Sequence, residues 1–71
     1  MKIYSFIAEC LDDVNDFAKN KEHLGILFTY NVGTFDSLCI FQSDMEIDVI
    51  LQLLREQDDS HAMIRTLKQL I

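Results

Sequence analysis

The chain has 71 residues, of which 49% are hydrophobic and none is proline; twelve Asp and Glu outnumber six Lys and Arg, giving a net charge of −6. A chain this apolar can bury a core, so we expect one small domain, residues 1–71, with the excess acids on its surface. That surface excludes nucleic acid and anionic membranes as favoured partners and favours a protein with a basic surface. No apolar stretch reaches the roughly 20 residues of a membrane span.

The first predicted element is a strand over Lys2–Glu9. Apolar, β-branched and aromatic side chains occupy both of its faces, which is typical of a central strand or one covered on each side. The segment lacks the length and the small-residue cleavage site of a signal peptide, so we expect a cytoplasmic protein.

A helix is predicted next, over about residues 11–23. Its apolar residues recur at helical spacing, namely Leu11, Val14, Phe17 and Ala18. Asp12 and Asp13 suit a first turn, because negative charge there meets the positive end of the helix dipole. Gly25 serves as the stop signal.

Residues 26–30 and 35–42 are predicted to form a β-hairpin around the connection 31–34. The Asn and the Gly in that connection tolerate the positive φ that a tight turn demands. Alternation puts one set of side chains on one face of each arm. The two sets are Ile26, Phe28 and Tyr30 in the first arm, and Phe35, Ser37, Cys39 and Phe41 in the second.

A further helix is predicted after Ser43, because Ser43 and Glu46 match a capping box before an apolar run. Its wide stripe comprises Ile47, Val49, Ile50, Leu51, Leu53 and Leu54. The polar stretch 56–61 then leaves two alternatives. Either one helix spans 44–70, or residues 58–60 cap a separate second helix that continues to the C-terminus, and we favour the second.

The predicted fold is thus α+β, in the order β-α-β-β-α-(α), with a three-stranded sheet and helices packed on one face. The strand order stays open, since the helix after β1 permits either a right-handed crossover or a β1 that lies beside β3.

Two acidic groups lie on the predicted helices. Asp12 and Asp16, four residues apart with Asp13 nearby, project from one solvent face, where they form either an interaction surface or an ordinary solvated face. The acids at 44, 46 and 48 fall in a first helical turn, where capping and the helix dipole already account for them.

Residues with catalytic or metal-binding potential are scattered singly along the chain. They are Cys10, His23, Ser37, Cys39 and His61. No spacing resembles a zinc site, no nucleophile is placed beside a base, and no glycine-rich loop is present. We therefore expect no enzymatic activity, no metal and no cofactor. The two cysteines are expected to be reduced, although a disulfide between them stays open.

In size and charge the chain resembles the small acidic proteins that phages, plasmids and toxin–immunity systems encode to block larger, often nucleic-acid-handling proteins. The resemblance implies a non-enzymatic inhibitor of anti-defence, antitoxin or immunity type, a nucleic-acid mimic that occupies a basic surface. The expected partner-binding residues are Asp12, Asp13, Asp16, Asp58 and Asp59.

Two alternatives remain. One is a homo-oligomeric structural or accessory subunit, such as a homodimer, that associates through apolar surface on its sheet or terminal helix. The other is a small ligand- or regulator-binding domain, which needs a pocket that the sequence does not reveal.

Overall fold

A computed structural model of the chain describes residues 1–19, 24–31, 33, 35–58 and 60–71, with the backbone alone at 24, 26–28 and 31. The elements in chain order are β1 (Lys2–Ala8), α1 (Leu11–Lys19), β2 (Leu24–Asn31), β3 (Ser37–Ser43), α2 (Ile47–Arg55), α3 (His61–Thr66) and β4 (Lys68–Gln69). Within these residues the strands form one antiparallel sheet in the order β2-β3-β1-β4. With helices after β1 and after β3, this is the connectivity of the split β-α-β fold. The predicted α+β class is confirmed.

The sheet has four strands where the sequence predicted three. The apolar rhythm near the C-terminus predicted a helix to the end, but α3 stops at Thr66 and Leu67 is extended. The last residues pair with β1 instead: the Leu70 N–H donates to the Ile3 carbonyl at 2.7 Å, and the Ile3 N–H donates to the Ile71 carbonyl at 3.2 Å. The prediction was wrong because the open edge of β1 supplies backbone partners that a local pattern does not reveal.

Thr66 fastens α3 to the same edge of β1. The Ile7 N–H donates to Thr66 Oγ1 at 2.7 Å, and the hydroxyl lies 2.7 Å from the Ala62 carbonyl and 3.2 Å from the Ile7 carbonyl. Because one proton serves one acceptor at a time, the shorter distance favours Ala62. The Ile7 N–H, which lies beyond the end of the short β4, thereby gains a partner.

The predicted hairpin is confirmed, with β2 paired to β3 from Leu24 opposite Ser43 to Asn31 opposite Ser37. Gly25 lies inside β2 and does not act as the predicted helix stop; residues 20–23 of the predicted helix, and 32 and 34 of the turn, lie outside the described residues. A bulge between positions 26 and 28 breaks the predicted alternation of β2.

The structure also corrects the start of β3. Phe35, predicted to lie in the strand, precedes it and is 75% exposed, whereas Ser37, Cys39 and Phe41 are buried as the alternation predicted.

The start of α2 differs from the predicted capping box. Ser43 ends β3, and its hydroxyl accepts the Met45 N–H at 3.0 Å, which closes the turn between strand and helix. Glu46 is the N-cap residue but makes no side-chain cap bond, because its carboxylate pairs with Lys2 at 3.1 Å. The hydroxyl expected to cap the helix is therefore used in the preceding turn.

The predicted break between two helices is confirmed, but Ser60 acts differently from the expected cap. Its hydroxyl donates toward the carbonyls of Leu54 and Gln57 at the end of α2, and it makes no side-chain cap bond to α3. The Leu54 carbonyl also accepts the Gln57 N–H at 3.1 Å. Ser60 is buried, so these bonds satisfy polar groups that water does not reach.

The core lies between one face of the sheet and the three helices. Phe17 of α1 packs edge-on against Phe6 and Phe41, with ring centroids 5.3 and 5.4 Å apart. The helices add further buried side chains, namely Val14, Ile50, Leu54 and Met63. Burying a large apolar side chain stabilises a fold by roughly 1.5–3 kcal/mol, so this face holds the main source of stability. The helices pack on one face, as predicted.

Thr66→Val removes the hydroxyl but keeps the shape of the side chain. We expect it to lower the free energy of unfolding by about 1–3 kcal/mol, because the part-buried Ile7 N–H loses its acceptor. Thr66→Ser is the matched control, since it keeps the hydroxyl and should recover most of the stability. Urea unfolding followed by circular dichroism measures both; equal stability of the two variants would contradict the role given to the hydroxyl.

Candidate functional site

Three of the five predicted partner-binding residues lie on α1. Val14 and Phe17 turn one side of this helix into the core, and Asp12 and Asp16 are exposed on the other side. Asp13 is half-buried beside them. The amphipathic pattern of the helix therefore positions these carboxylates, since burial of the apolar side fixes which way the acids point.

The side chain of Gln57 joins the α2–α3 connection, which contains the other predicted contact residues, to α1. The Gln57 Nε2 donates to the backbone carbonyl of Asp13 at 2.9 Å, which joins the α2–α3 connection to the first turn of α1. Asp58 follows Gln57 directly and is exposed. We call Asp12, Asp13, Asp16 and Asp58 the acidic face; Asp59, the remaining predicted contact residue, lies outside the described residues.

No basic side chain in the described part of the chain forms an ion pair with the acidic face. In the described part of the chain, the one ion pair joins Lys2 and Glu46 near the opposite end of β1, and the hydrogen bond that Lys2 donates to Glu46 raises the pKa of Lys2. Lys19 and Arg55 are exposed at the last turns of α1 and α2, and neither forms an ion pair with the acidic face. Among the described residues, the carboxylates of the acidic face therefore take part in no ion pair.

The acids at 44, 46 and 48 are not part of this face. They follow the end of β3, beside Lys2, whereas α1 begins after Ala8 at the other end of β1. All three are exposed, and Glu46 is paired. These three carboxylates therefore lie at the other end of β1 from the acidic face.

The thiol of Cys39 is not an activated nucleophile. Both cysteines are free thiols, Cys10 half-buried and Cys39 buried, and burial raises the pKa of Cys39 from 9.0 to about 11. A reactive cysteine needs the opposite shift. His61 is exposed at the start of α3, and His23 lies outside the described residues.

Two further observations concern the part of the chain that the structure describes. No three His, Cys, Asp or Glu side chains there gather closely enough to hold a metal ion. None of the described helices is long and apolar enough to cross a membrane.

Comparisons of the chain with protein-family models, with curated proteins and with solved structures found no match. Surface geometry and charge are therefore the basis for a functional proposal.

Two positioning residues carried no signal in the sequence. Gln57 reads as one more polar residue in a helix connection, and Tyr4 reads as one apolar residue of a strand. In the structure, the Tyr4 hydroxyl donates to the Met45 carbonyl at 2.6 Å and so holds the start of α2 against the sheet. A long-range bond from one side chain to a distant backbone carbonyl has no periodicity by which to find it.

The buried thiol predicts a loss of stability at alkaline pH. Because the pKa of Cys39 is higher in the folded state, the unfolded chain ionises first as the pH rises from 9.0 to about 11. The stabilisation is complete below that window and is lost across it, by up to roughly 3 kcal/mol. Burial also raises the pKa of Tyr4, which acts in the same direction.

Urea unfolding at a series of pH values measures this loss. Cys39→Ala should flatten the alkaline decline, whereas Cys10→Ala, the control, should keep it. A Cys39→Ala profile as steep as that of the unmodified protein would contradict the assignment.

Proposed function

We propose that the protein is a small non-enzymatic protein-binding module whose acidic face docks on a basic surface of a larger protein. The observation that carries this proposal is the hydrogen bond from Gln57 to the Asp13 carbonyl. It unites two acidic segments that lie more than forty residues apart in sequence, at the end of the domain away from the Lys2–Glu46 pair.

Electrostatics favour such a complex. Carboxylates that form no ion pair among the described residues, on a chain with a net charge of −6, attract a basic surface over about a Debye length, roughly 8–10 Å at physiological salt, and so speed encounter. The acids sit on a helix and on a connection fastened to it, so little order has to be gained on binding. Contact between opposite charges also suppresses binding to acidic proteins.

The partner that this chemistry fits is a nucleic-acid-handling protein. Its binding groove is lined by Lys and Arg that neutralise phosphates, and carboxylates compete for the same groups. Occupying the groove inhibits the partner without any chemical step, as expected of an inhibitor of anti-defence, antitoxin or immunity type. The resemblance in size and charge noted above points the same way.

Charge reversal tests which carboxylates make the contact. The double variant Asp12→Lys, Asp16→Lys should weaken binding at least about tenfold, because it places like charges opposite each other. The control is Asp44→Lys, Asp48→Lys, which changes the net charge equally and also reverses one first-turn aspartate, but at the other end of the domain.

The partner is first captured from a native lysate on the immobilised protein and identified by mass spectrometry, and its affinity is then titrated at low and at high salt. The proposal is supported if the unmodified protein and the control bind the same partner, and the α1 variant does not. Salt should weaken this binding, and the bound partner should no longer bind nucleic acid. Equal losses in the two variants would show that net charge alone acts, and binding that salt does not change would overturn the proposal.

Gln57→Ala removes the hydrogen bond to the Asp13 carbonyl but leaves every charge in place. We expect it to lower the free energy of unfolding by about 0.5–1.5 kcal/mol and to weaken binding to the captured partner a few-fold. Gln52→Ala, at an exposed position on α2, is the matched control and should change neither quantity. Unchanged affinity in Gln57→Ala would mean that the joining of the two acidic segments does not matter for binding.

A further inference from the structure

The sheet has a second face that points away from the core. On β1 and β3, the residues that meet the helices alternate with residues that point the other way. We call this second set the open face, and it comprises Ile3, Ser5, Ile7, Leu38, Ile40 and Gln42. Its large side chains are half-buried. In the described part of the chain, the buried residues of α1 and α2, and Met63 of α3, belong to the core on the other side.

Four of the six residues of the open face are aliphatic, and this apolar surface is continuous across strands. Ile7 lies opposite Leu38, and Ser5 lies opposite Ile40. On the far side of β3, Tyr30 lies opposite Leu38 and is 59% exposed. The face therefore has a row of three neighbouring large side chains, one from each of three strands, and cross-strand neighbours of this kind form a contiguous apolar surface.

We propose that the open face binds the open face of a second copy of the chain, giving a symmetric dimer. The charge distribution supports this occupant. None of the six residues of the open face is charged, while the described acids lie on helices and connections. Lys68, opposite Ser5 on the edge strand β4, is exposed at the margin. Two such faces can meet without bringing carboxylates together.

The size of the face also fits a self-associating surface. The three long strands β1, β2 and β3, about 4.8 Å apart and about seven residues long at about 3.4 Å each, cover roughly 340 Å², to which the two-residue β4 adds little. A stable interface buries about 800 Å² per partner, so a patch of this size predicts a dimer that depends on concentration. A symmetric contact uses the same patch twice and needs no complementary surface elsewhere, and flat sheets pack face to face about 10 Å apart.

Dimerisation and binding through the acidic face should respond to salt in opposite ways. Each copy carries a net charge of −6, so the two copies repel each other, and added salt screens that repulsion. The dimer should therefore tighten with salt, whereas binding through the acidic face weakens. The variant Asp12→Lys, Asp16→Lys should leave the dimer intact.

Sedimentation equilibrium over a range of concentrations tests the proposal. The unmodified protein should move from 8.3 kDa toward twice that mass as its concentration rises. Ile40→Lys should raise the dissociation constant at least about tenfold, because it places a charge in the contact. The control Val49→Lys makes the same charge change on α2, where Val49 is 46% exposed, and should dimerise like the unmodified protein.

Circular dichroism shows whether Ile40→Lys folds, and Ile40→Thr, which keeps a β-branched side chain, replaces it if it does not. A mass of 8.3 kDa at every concentration up to about millimolar overturns the proposal. So does equal weakening by Ile40→Lys and Val49→Lys, or a dimer that salt dissociates.

Discussion

The stacking of Tyr4 on Phe41 across β1 and β3 is the contact that the rest of the structure depends on. The two residues are direct partners in the antiparallel register, and their rings lie 5.5 Å apart at an angle of 22°. Because side chains alternate along a strand, a slip of one residue would send one of these rings to the opposite face. The contact therefore decides which face receives the helices and which face stays open.

Burial of Phe17 against Phe41 then sets the orientation of α1, and with it the direction in which Asp12 and Asp16 point. On the other side of the rings, the Tyr4 hydroxyl holds Met45 and hence the start of α2. The helix then crosses the sheet and ends where Gln57 reaches Asp13. The aromatic contact in the middle of the sheet thus helps to position both helices, and the helices position the carboxylates on the surface.

Periodicity in the sequence was sufficient for the elements whose own residues face the core. The alternation of Ser37, Cys39 and Phe41 predicted β3, and the apolar spacing of α1 and α2 predicted both helices. It failed where a partner distant in sequence decides the outcome. Leu67, Leu70 and Ile71 have helical spacing, yet the free edge of β1 takes them as extended chain.

The candidate surfaces were predictable to different degrees. Spacing on one helix showed that Asp12 and Asp16 share a face, because that relation is local. The position of Asp58 near α1 depends on the hydrogen bond from Gln57 to the Asp13 carbonyl, and no local sequence pattern predicts that bond. The open face required the strand order, which the sequence left undecided: only with β1 beside β3 do Ile7 and Leu38 become neighbours.

The pairing of Ile3 with Leu70 and Ile71 has a kinetic consequence. These bonds close a loop that contains nearly the whole chain, so they cost more chain entropy than the hairpin or either helix and gain little from the short strand they complete. The outer edge of the sheet is thus the last part to assemble during folding. It is also the first to detach in the native protein, exposing the backbone of β1 while the aromatic cluster stays intact.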